Sequence, residues 1–437
     1  MYISGVYGPG KAGREEGRER SRAVNEKLNL AISHFTKGAF ITVEGRQKAD
    51  SFFIVQSGSV KLSHEALIRD DCAQTLGRGD FLGVVSAMAA LSQIETSLAV
   101  TDAALVVVPS RQLEALIRNN GEFATKILTQ LSARLRFLDD EFARLALKDS
   151  AKEADDGPAR LFEVAEYCVR ERRYDEAFYA YSQYLRRYPR GPRASLARDG
   201  LKALESRADD LMARREKDEL IREYRKGEMV FAEGEPGDEL FVLHSGSVRL
   251  SKIIDDREIF LGAVKPGDIF GEMAILNDRP RAASALASED SKLMAVKKTN
   301  MDFLIQTQPQ LIAKLISLIA TRIWSAYKQM RLSQIADPLG RVYGALLIQL
   351  EKSHVGFDST ASHVFSASWE DVVKTLGFSE KKGYIILGEI AKDSNLRIDR
   401  GVIEAFSVKE LVGTCRIHEK IDARKRGQLE APNRGRG

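Results

Sequence analysis

Cysteine is scarce: the 437-residue chain has three, Cys72, Cys168 and Cys415, too scattered to make a zinc-ligand pair or a disulfide framework. Free thiols fit a reducing cytoplasm, where this reading places the protein, and no metal is implied. Long apolar runs are missing too. The most apolar stretch, around 311–324, is broken by Lys314, Ser317, Thr321 and Arg322, and the N-terminal "MYISGVYGPGKAGREEGRERSR" lacks the apolar centre of a signal peptide. No membrane partner is expected. Charge of one sign is also lacking: the formal net charge is +4, so a nucleic-acid role has to rest on a local patch. No nucleophile–base set, metal-ligand spacing or triphosphate-binding loop occurs. The histidines, His34, His64, His244, His354, His363 and His418, show no ligand spacing, which disfavours an enzyme. What remains, with 44% apolar residues, is core material for about three domains of ordinary size.

One module is present twice. "KGAFITVEGRQKADSFFIVQSGSVKLS" at 37–63 matches "KGEMVFAEGEPGDELFVLHSGSVRLS" at 226–251. After a one-residue difference in length the copies keep an offset of 188, pairing Gly79 with Gly267, Asp80 with Asp268, Gly83 with Gly271 and Thr96 with Ser284. Apolar and polar residues alternate in short runs punctuated by glycine, the pattern of an antiparallel sheet closing into a small roll. A helix follows each roll. Ile312, Ile316, Ile319, Ile323, Ala326, Met330 and Ser333 alternate at spacings of four and three, the seam of a two-stranded coiled coil. Subtracting 188 gives Ala124, Leu128, Leu131, Leu135, Leu138, Phe142 and Leu145. Each seam either packs on its own roll or pairs with the other, as an internal pseudo-dimer or between the chains of a homodimer.

The second copy carries the chemistry. "FGEMAILNDRPRAASALA" at 270–287 sets Glu272 directly after Gly271, places Arg281 nine residues later and surrounds both with small residues. A ring phosphate in an apolar cavity needs a cation and several aimed N–H donors to replace its hydration. Arg281 supplies the fork. Gly271 lets the backbone N–H groups of a short helix start, through Met273 and Ala274, approach the anion.

From Gly227 through Arg281 and the following helix, this copy resembles the cyclic-nucleotide-binding domain of the Crp/Fnr regulators and of regulatory subunits of cyclic-AMP-dependent kinase. Phe270-Gly271-Glu272 and Pro280-Arg281-Ala282-Ala283-Ser284 form the matching cassette. The resemblance implies an α+β fold with two cyclic-nucleotide-binding β-rolls (double-stranded β-helix, cupin-like jelly roll), each with a long C-terminal helix. It implies that Glu272 accepts a hydrogen bond from the ribose 2′-OH. Ala282 stands where cyclic-GMP-selective members usually carry threonine, which favours cyclic AMP. Cyclic AMP, or another cyclic mononucleotide, would be a regulatory ligand, and no other cofactor is implied.

The first copy reads "FLGVVSAMAALSQIETSLAV" at 81–100. At the same offset Val84 stands for Glu272, Gln93 stands for Arg281, and Glu95 adds a negative charge two residues on. Without the guanidinium, burying a phosphate costs several kcal/mol that nothing evident offsets, so this copy is expected to stay empty and to serve as a structural partner. If the seams pair, Leu138 and Asp139 lie opposite Ala326 and Tyr327, where Crp-like dimers cap the base. Tyr327 and Asp139 therefore join the expected ligand set, Asp139 as acceptor for the adenine amino group.

Between the copies, Leu161, Ala165, Cys168, Tyr174, Ala177, Tyr181, Tyr184 and Pro189 resemble the spacing of one tetratricopeptide unit of two antiparallel helices. One unit is too few for a free-standing array; a helical spacer packed on the rolls is the alternative, with a protein-docking role for its tyrosines left open. Asp337-Pro338 reads as a helix cap with proline in the first turn, ending the seam helix at 336 as at the Crp-like hinge. Residues 368–408 follow with a helix to Leu376, a turn at Gly377, a helix from about Ser379 and two short strands beyond Asn395, the order of a winged helix-turn-helix. Lys381, Lys382 and Tyr384 are its candidate DNA contacts. Yet residues 338–415 hold nine cations against ten anions, 9 − 10 = −1, where a phosphate-tracking surface carries a positive excess.

The chain thus divides into a disordered N-terminal segment 1–26, a degenerate cyclic-nucleotide-binding domain 27–148 and a helical connector 156–210. A competent cyclic-nucleotide-binding domain 211–336, a winged-helix domain 337–415 and a basic disordered tail 416–437 complete it. The resemblance implies a cyclic-AMP-sensing, Crp-like transcription regulator coupling the second roll to DNA. The competing reading is a cyclic-nucleotide-responsive protein-interaction or regulatory-subunit protein whose winged domain does not read DNA.

Overall fold

The computed structural model describes residues 30–45, 49–64, 74–147, 157–205, 220–254 and 257–430. The expected disorder of 1–26 lies outside them. The first roll comprises β1 (Ala31–Phe35), β2 (Phe40–Thr42), β3 (Ser51–Ser57), β4 (Val60–Ser63), β5 (Gln74–Leu76), β6 (Phe81–Leu82), α1 (Val84–Ala89), β7 (Thr96–Ala99) and β8 (Ala103–Pro109). Helices α2 (Leu113–Asn119) and α3 (Gly121–Leu147) follow it. The connector is α4 (Pro158–Arg170), α5 (Tyr174–Arg187) and α6 (Ala194–Leu204). The second roll is built from β9 (Ile221–Tyr224), β10 (Met229–Phe231), β11 (Glu239–Ser245), β12 (Val248–Ile254), β13 (Arg257–Val264), β14 (Ile269–Phe270), α7 (Glu272–Asn277), β15 (Ser284–Ala287) and β16 (Ser291–Lys297), followed by α8 (Met301–Thr307) and α9 (Pro309–Ser333). The C-terminal domain has α10 (Pro338–Lys352), β17 (His363–Val364), α11 (Trp369–Thr375), α12 (Glu380–Ile390), β18 (Leu396–Asp399), β19 (Val402–Ala405) and α13 (Val408–Glu430).

The duplication extends to topology. The first roll faces a β1-β8-β3-β6 sheet with a β2-β7-β4-β5 sheet, and the second repeats both orders as β9-β16-β11-β14 and β10-β15-β12-β13. Every strand pair in both rolls is antiparallel. Alternation sets the inner face: in β4, Val60 and Leu62 are buried while Lys61 and Ser63 are exposed.

The seams pair within the chain. Ala124, Leu128, Leu131, Leu135 and Leu138 of α3 share one core with Ile312, Ile316, Ile319, Ile323 and Met330 of α9, and the side chains of Phe142 and Leu145 lie outside the described residues. Each seam helix also crosses to the other roll. On α9, Ser317 Oγ donates to the carbonyl of Met88 at 2.6 Å and Trp324 Nε1 to that of Ser92 at 3.0 Å, both in the first roll. On α3, Arg136 Nη1 donates to the carbonyl of Pro280 in the second roll at 3.0 Å.

The connector is helical but has three helices where two were expected. Gly200 of α6 lies so close to the Tyr181 ring that a Cβ would sit 2.7 Å from it, and Ala194, Ala197 and Leu204 complete the interface. Its core is continuous with Met229, Ala232 and Ile253, so the connector packs on the β10-β15-β12-β13 face of the second roll.

Two boundaries need correction. The seam helix ends at Ser333, not 336, with Gln334 as its C-cap. Residues 416–430, expected to be disordered, are helical, because α13 returns to the hinge. Asp422 Oδ1 accepts from Ala336 N at 2.9 Å. The His418 ring nitrogen Nδ1 lies 2.6 Å from Asp337 Oδ2 and the imidazole stacks on Tyr343 at 5.0 Å. Asp337 itself caps α10, accepting from the N–H groups of Leu339 and Gly340. Residues 431–437 lie outside the described residues. Gly377, at φ 65°, turns α11 into α12, whose N-cap Ser379 accepts from Lys382 N. Strands β17, β19 and β18 form a three-stranded antiparallel sheet beside them. Among the described residues no single helix is long and apolar enough to cross a membrane.

Candidate functional site

The expected cassette assembles as one buried cluster. Gly271, at φ 77°, is the N-cap of α7, a backbone conformation that side chains with a Cβ rarely adopt. Phe270 stacks with Phe241, whose ring centroid is 5.5 Å away, and lies tilted against Phe231 at 5.9 Å. Arg281 lies over the Phe231 ring at 4.2 Å. Two glycines make room for its guanidinium: a Cβ at Gly237 would sit 2.4 Å from Arg281 Cζ, and one at Gly271 would sit 2.7 Å from Nη1.

Arg281 is 6% exposed and Glu272 fully buried. Arg281 Nη1 donates to the carbonyls of Glu239 at 2.8 Å and Gly271 at 2.7 Å, and burial lowers the guanidinium pKa below its usual value. One polar atom on each side chain is buried without a hydrogen-bond partner: Nε of Arg281 and Oε2 of Glu272. Orphaned atoms of this kind cost about 1–3 kcal/mol each, more on charged groups. Other described side chains, Gln93 and Arg249 among them, also have such an atom; what distinguishes this pair is that both belong to the cassette around Gly271, to whose carbonyl Arg281 donates. Met273, Ala274 and Ala282 are buried and Ala283 half-buried, while Ser284 Oγ accepts from Glu233 N at 2.9 Å.

Helices from both copies complete the site. From α9, Arg322 donates to Glu272 Oε1 at 2.8 Å. From α3, Asp139 comes into the electrostatic range of Arg322, Lys252 and Glu272; burial lifts its carboxyl to about 6 against the pull of the two cations. Lys252, itself buried, is ion-paired to Asp140. The connector reaches the same turn. Arg160 Nε donates to Glu233 at 2.9 Å, and the Tyr179 hydroxyl to Glu235 at 3.1 Å. The Glu235 carbonyl in turn accepts from Arg281 N at 2.8 Å.

Tyr327, expected beside Asp139, is a correction. Its ring lies 5.2 Å from that of His64, in the first roll. The reason is the pseudo-twofold: Tyr327 and Asp139 are 188 apart, as are Lys252 and His64, so each crosses to the opposite roll and only Asp139 reaches the second. Arg322, Arg136 and Lys252 were missed. A readable signal existed for Arg322, since Arg134 repeats it at the same offset and a duplicated charge beside an apolar seam demands an acidic partner. Lys381, Lys382 and Tyr384 are exposed on α12, with Lys382 Nζ 4.8 Å from the centre of the Phe378 ring.

In the first roll, Gln93 is buried with Oε1 unpaired, and among the described residues no cation occupies the place of Arg281. Instead Glu95, 2% exposed, accepts from Gly83 N at 2.7 Å and from Arg134 Nη1 at 2.8 Å.

The family model of the cyclic nucleotide-binding domain matches residues 32–120 and 221–308. The chain is 29% identical over 182 residues to the cyclic AMP receptor protein of Thermus thermophilus, spanning 41% of this chain and 81% of that one. It is 38% identical over 86 residues to a cAMP-dependent protein kinase regulatory subunit of Mycosarcoma maydis, 19% of this chain and 16% of the relative. Among solved structures, a transcriptional regulator of the CRP/FNR family from Thermus thermophilus aligns over 45% of this chain and 98% of its own, at 20% identity and a TM-score of 0.33.

Proposed function

We propose, for a chain that carries two tandem cyclic nucleotide-binding domains and resembles the Crp/Fnr regulators, that the second roll senses cyclic AMP and thereby governs the C-terminal domain. The observation that carries this reading is the buried, half-satisfied pair: Arg281 with a free Nε and Glu272 with a free Oε2. A cyclic phosphate takes over the guanidinium from the two carbonyls that now hold it, and the ribose 2′-OH donates to Glu272. Ala282 and the approach of Asp139 favour adenine.

The C-terminal domain, read as a winged helix-turn-helix, presents Lys381, Lys382 and Tyr384 to DNA in the cytoplasm, the protein acting by binding rather than by catalysis. Ligand shifts its presentation only by binding one hinge arrangement more tightly, about 1.4 kcal/mol per tenfold change in ratio. With one such domain per chain, a palindromic site takes two chains. Calorimetry with cyclic AMP and cyclic GMP, on wild type and Arg281→Lys, tests the first step: no uptake of either nucleotide by the wild type removes the sensing role.

A second reading has its own observation. On α12 the outward face exposes Tyr384 by 74% and Ile385 by 62%, in a domain whose net charge is −1 by the count above. Apolar exposure without positive excess suits a protein contact better than a phosphate backbone. Selection of DNA sequences with and without cyclic AMP separates the readings: enrichment of a motif supports the regulator, and none supports the interaction protein.

A further inference from the structure

We infer that the first roll carries a built-in ligand: the Glu95 carboxylate occupies the cradle that its twin keeps for a phosphate, making this roll a permanently filled anion site. That the matching place in the second roll is a phosphate site rests on the proposed function; that Glu95 fills the place in the first roll rests on side chains already in contact.

Three observations support it. Glu95 stands 188 residues before Ala283, within the short stretch after the arginine position, so the side chain that is a methyl group in one roll is a carboxylate in the other. Its Oε1 accepts at 2.7 Å from the N–H of Gly83, the residue at φ 74° that caps α1 just as Gly271 caps α7. A backbone N–H at this turn is a donor that a bound phosphate draws on. The countercharge comes from the same place in both copies but is directed differently. Arg322 pairs with Glu272 in the second roll. Val84 replaces that glutamate in the first, and Arg134 pairs with Glu95 instead. One acid has been moved from the sugar side of the cassette to the phosphate side.

Glu95 is also fully committed. Arg134 bridges it to His64, whose Nε2 lies 3.3 Å from Arg134 Nη2. Burial alone would push the Glu95 carboxyl up, yet Arg134 and the Gly83 N–H bring it below its ordinary value. The filled cradle is clasped from outside as well. Ser92, just before Gln93, gives its carbonyl to Trp324 and its N–H to Glu351 Oε1 at 2.8 Å. Its Oγ meets Lys328 Nζ at 3.2 Å. The seam helix α9 and helix α10 of the C-terminal domain are therefore both anchored to a roll whose occupant never leaves.

Thermal melting of the full chain tests this. Glu95→Ala empties the cradle while leaving Arg134 and Gly83 N–H in place, so the variant melts several degrees lower than wild type. Acetate or inorganic phosphate, at matched ionic strength with chloride, should restore at least half of the lost shift. Wild type and the double variant Glu95→Ala/Arg134→Ala should not respond. Equal restoration by chloride, or restoration that survives in the double variant, overturns the assignment. Should Glu95→Ala fail to fold, Glu95→Gln keeps the shape and gives a second readout. Losing a charged acceptor moves the Gly83 amide proton resonance upfield, and an unmoved resonance overturns the inference equally.

Discussion

The two rolls share strand order, turn glycines and the arginine on the seam helix, and they differ in where the acidic and basic groups of the cassette sit. The second holds Arg281 and Glu272 with one orphaned atom apiece. The first holds a neutral Gln93 and satisfies its Glu95 from two sides. On the inference drawn above, a binding site is closed here by relocating one carboxylate, with the scaffold kept. Surroundings differ as well. The connector buries Met229 of the second roll, whereas Phe40, in the matching strand of the first, is 63% exposed. The roll that keeps an open cradle is the one wired to the connector through Tyr179 and Glu235.

The sharpest way to break this comparison is to take away the fork. Arg281→Lys keeps the charge but cannot fill the slot between Gly237 and Phe231 or offer two parallel donors. Truncating one partner of a buried charge pair costs about 2–5 kcal/mol, so cyclic AMP affinity should drop about 100-fold or more by calorimetry. Gln93→Leu, at the equivalent place in the first roll, should leave that affinity unchanged. A comparable loss from both variants would mean that the first roll binds nucleotide too.

Next in size is the glycine pair. Gly271→Ala and Gly83→Ala both force a Cβ into left-handed backbone, costing about 1–2 kcal/mol of stability each. Only at Gly271 does the new methyl meet the guanidinium, at 2.7 Å, whereas the nearest neighbour at Gly83 is 3.8 Å away. Gly271→Ala should therefore weaken cyclic AMP binding about tenfold on top of its melting shift, and Gly83→Ala should lower the melting temperature alone. Glu272→Gln falls in the same range. It leaves Arg322 facing a neutral amide, and the expected loss is about tenfold in affinity for the ribose nucleotide with less loss for its 2′-deoxy analogue.

The cassette was legible as a group because each residue type has a separate proposed purpose, a glycine for the turn, an acid for the sugar and a guanidinium for the phosphate, and the structure brings Gly271 and Arg281 into contact. The duplication was legible because an unbroken offset needs no structural knowledge. The seams left three readings open, packing on their own rolls, pairing within the chain and pairing between chains, and a common core of Leu131, Leu135, Ile319 and Ile323 shows the two in contact within the chain. What sequence did not carry was direction. Nothing in the spacing tells that Asp139 and Tyr327 cross to opposite rolls, because a coiled-coil register fixes which residues face the partner helix and not what lies beyond it. The tail was misread for a related reason. Its basic composition hides Asp422 and His418, which order α13 by meeting the hinge at Ala336 and Asp337. A charged segment looks solvated until its partners elsewhere in the chain are known.

The smallest expected effect sharpens the comparison through pH. In the second roll Asp139 faces Arg322, Lys252, Asp140 and Glu272, and its carboxyl titrates at about 6 instead of 3.8. A raised acid stabilises the fold below its unfolded value and loses that contribution as pH climbs through the folded one, so Asp139→Asn should gain melting temperature at pH 7 and little at pH 4. Binding runs the other way. In the proposed complex the ionised carboxylate accepts from the adenine amino group, so cyclic AMP affinity should fall a few-fold between pH 7 and 5 in wild type and stay flat in Asp139→Asn. In the first roll burial and Arg134 depress His64 from 6.5 to about 4. That neutral imidazole favours the folded state above 6.5 and stops doing so as pH falls toward 4, a trend opposite in sign to that of Asp139. Melting curves of His64→Gln and Asp139→Asn across pH 4 to 7 should therefore diverge from wild type at opposite ends of the range. Divergence at the same end would mean that the two rolls do not hold their titrating groups in the different environments that separate a filled cradle from an open one.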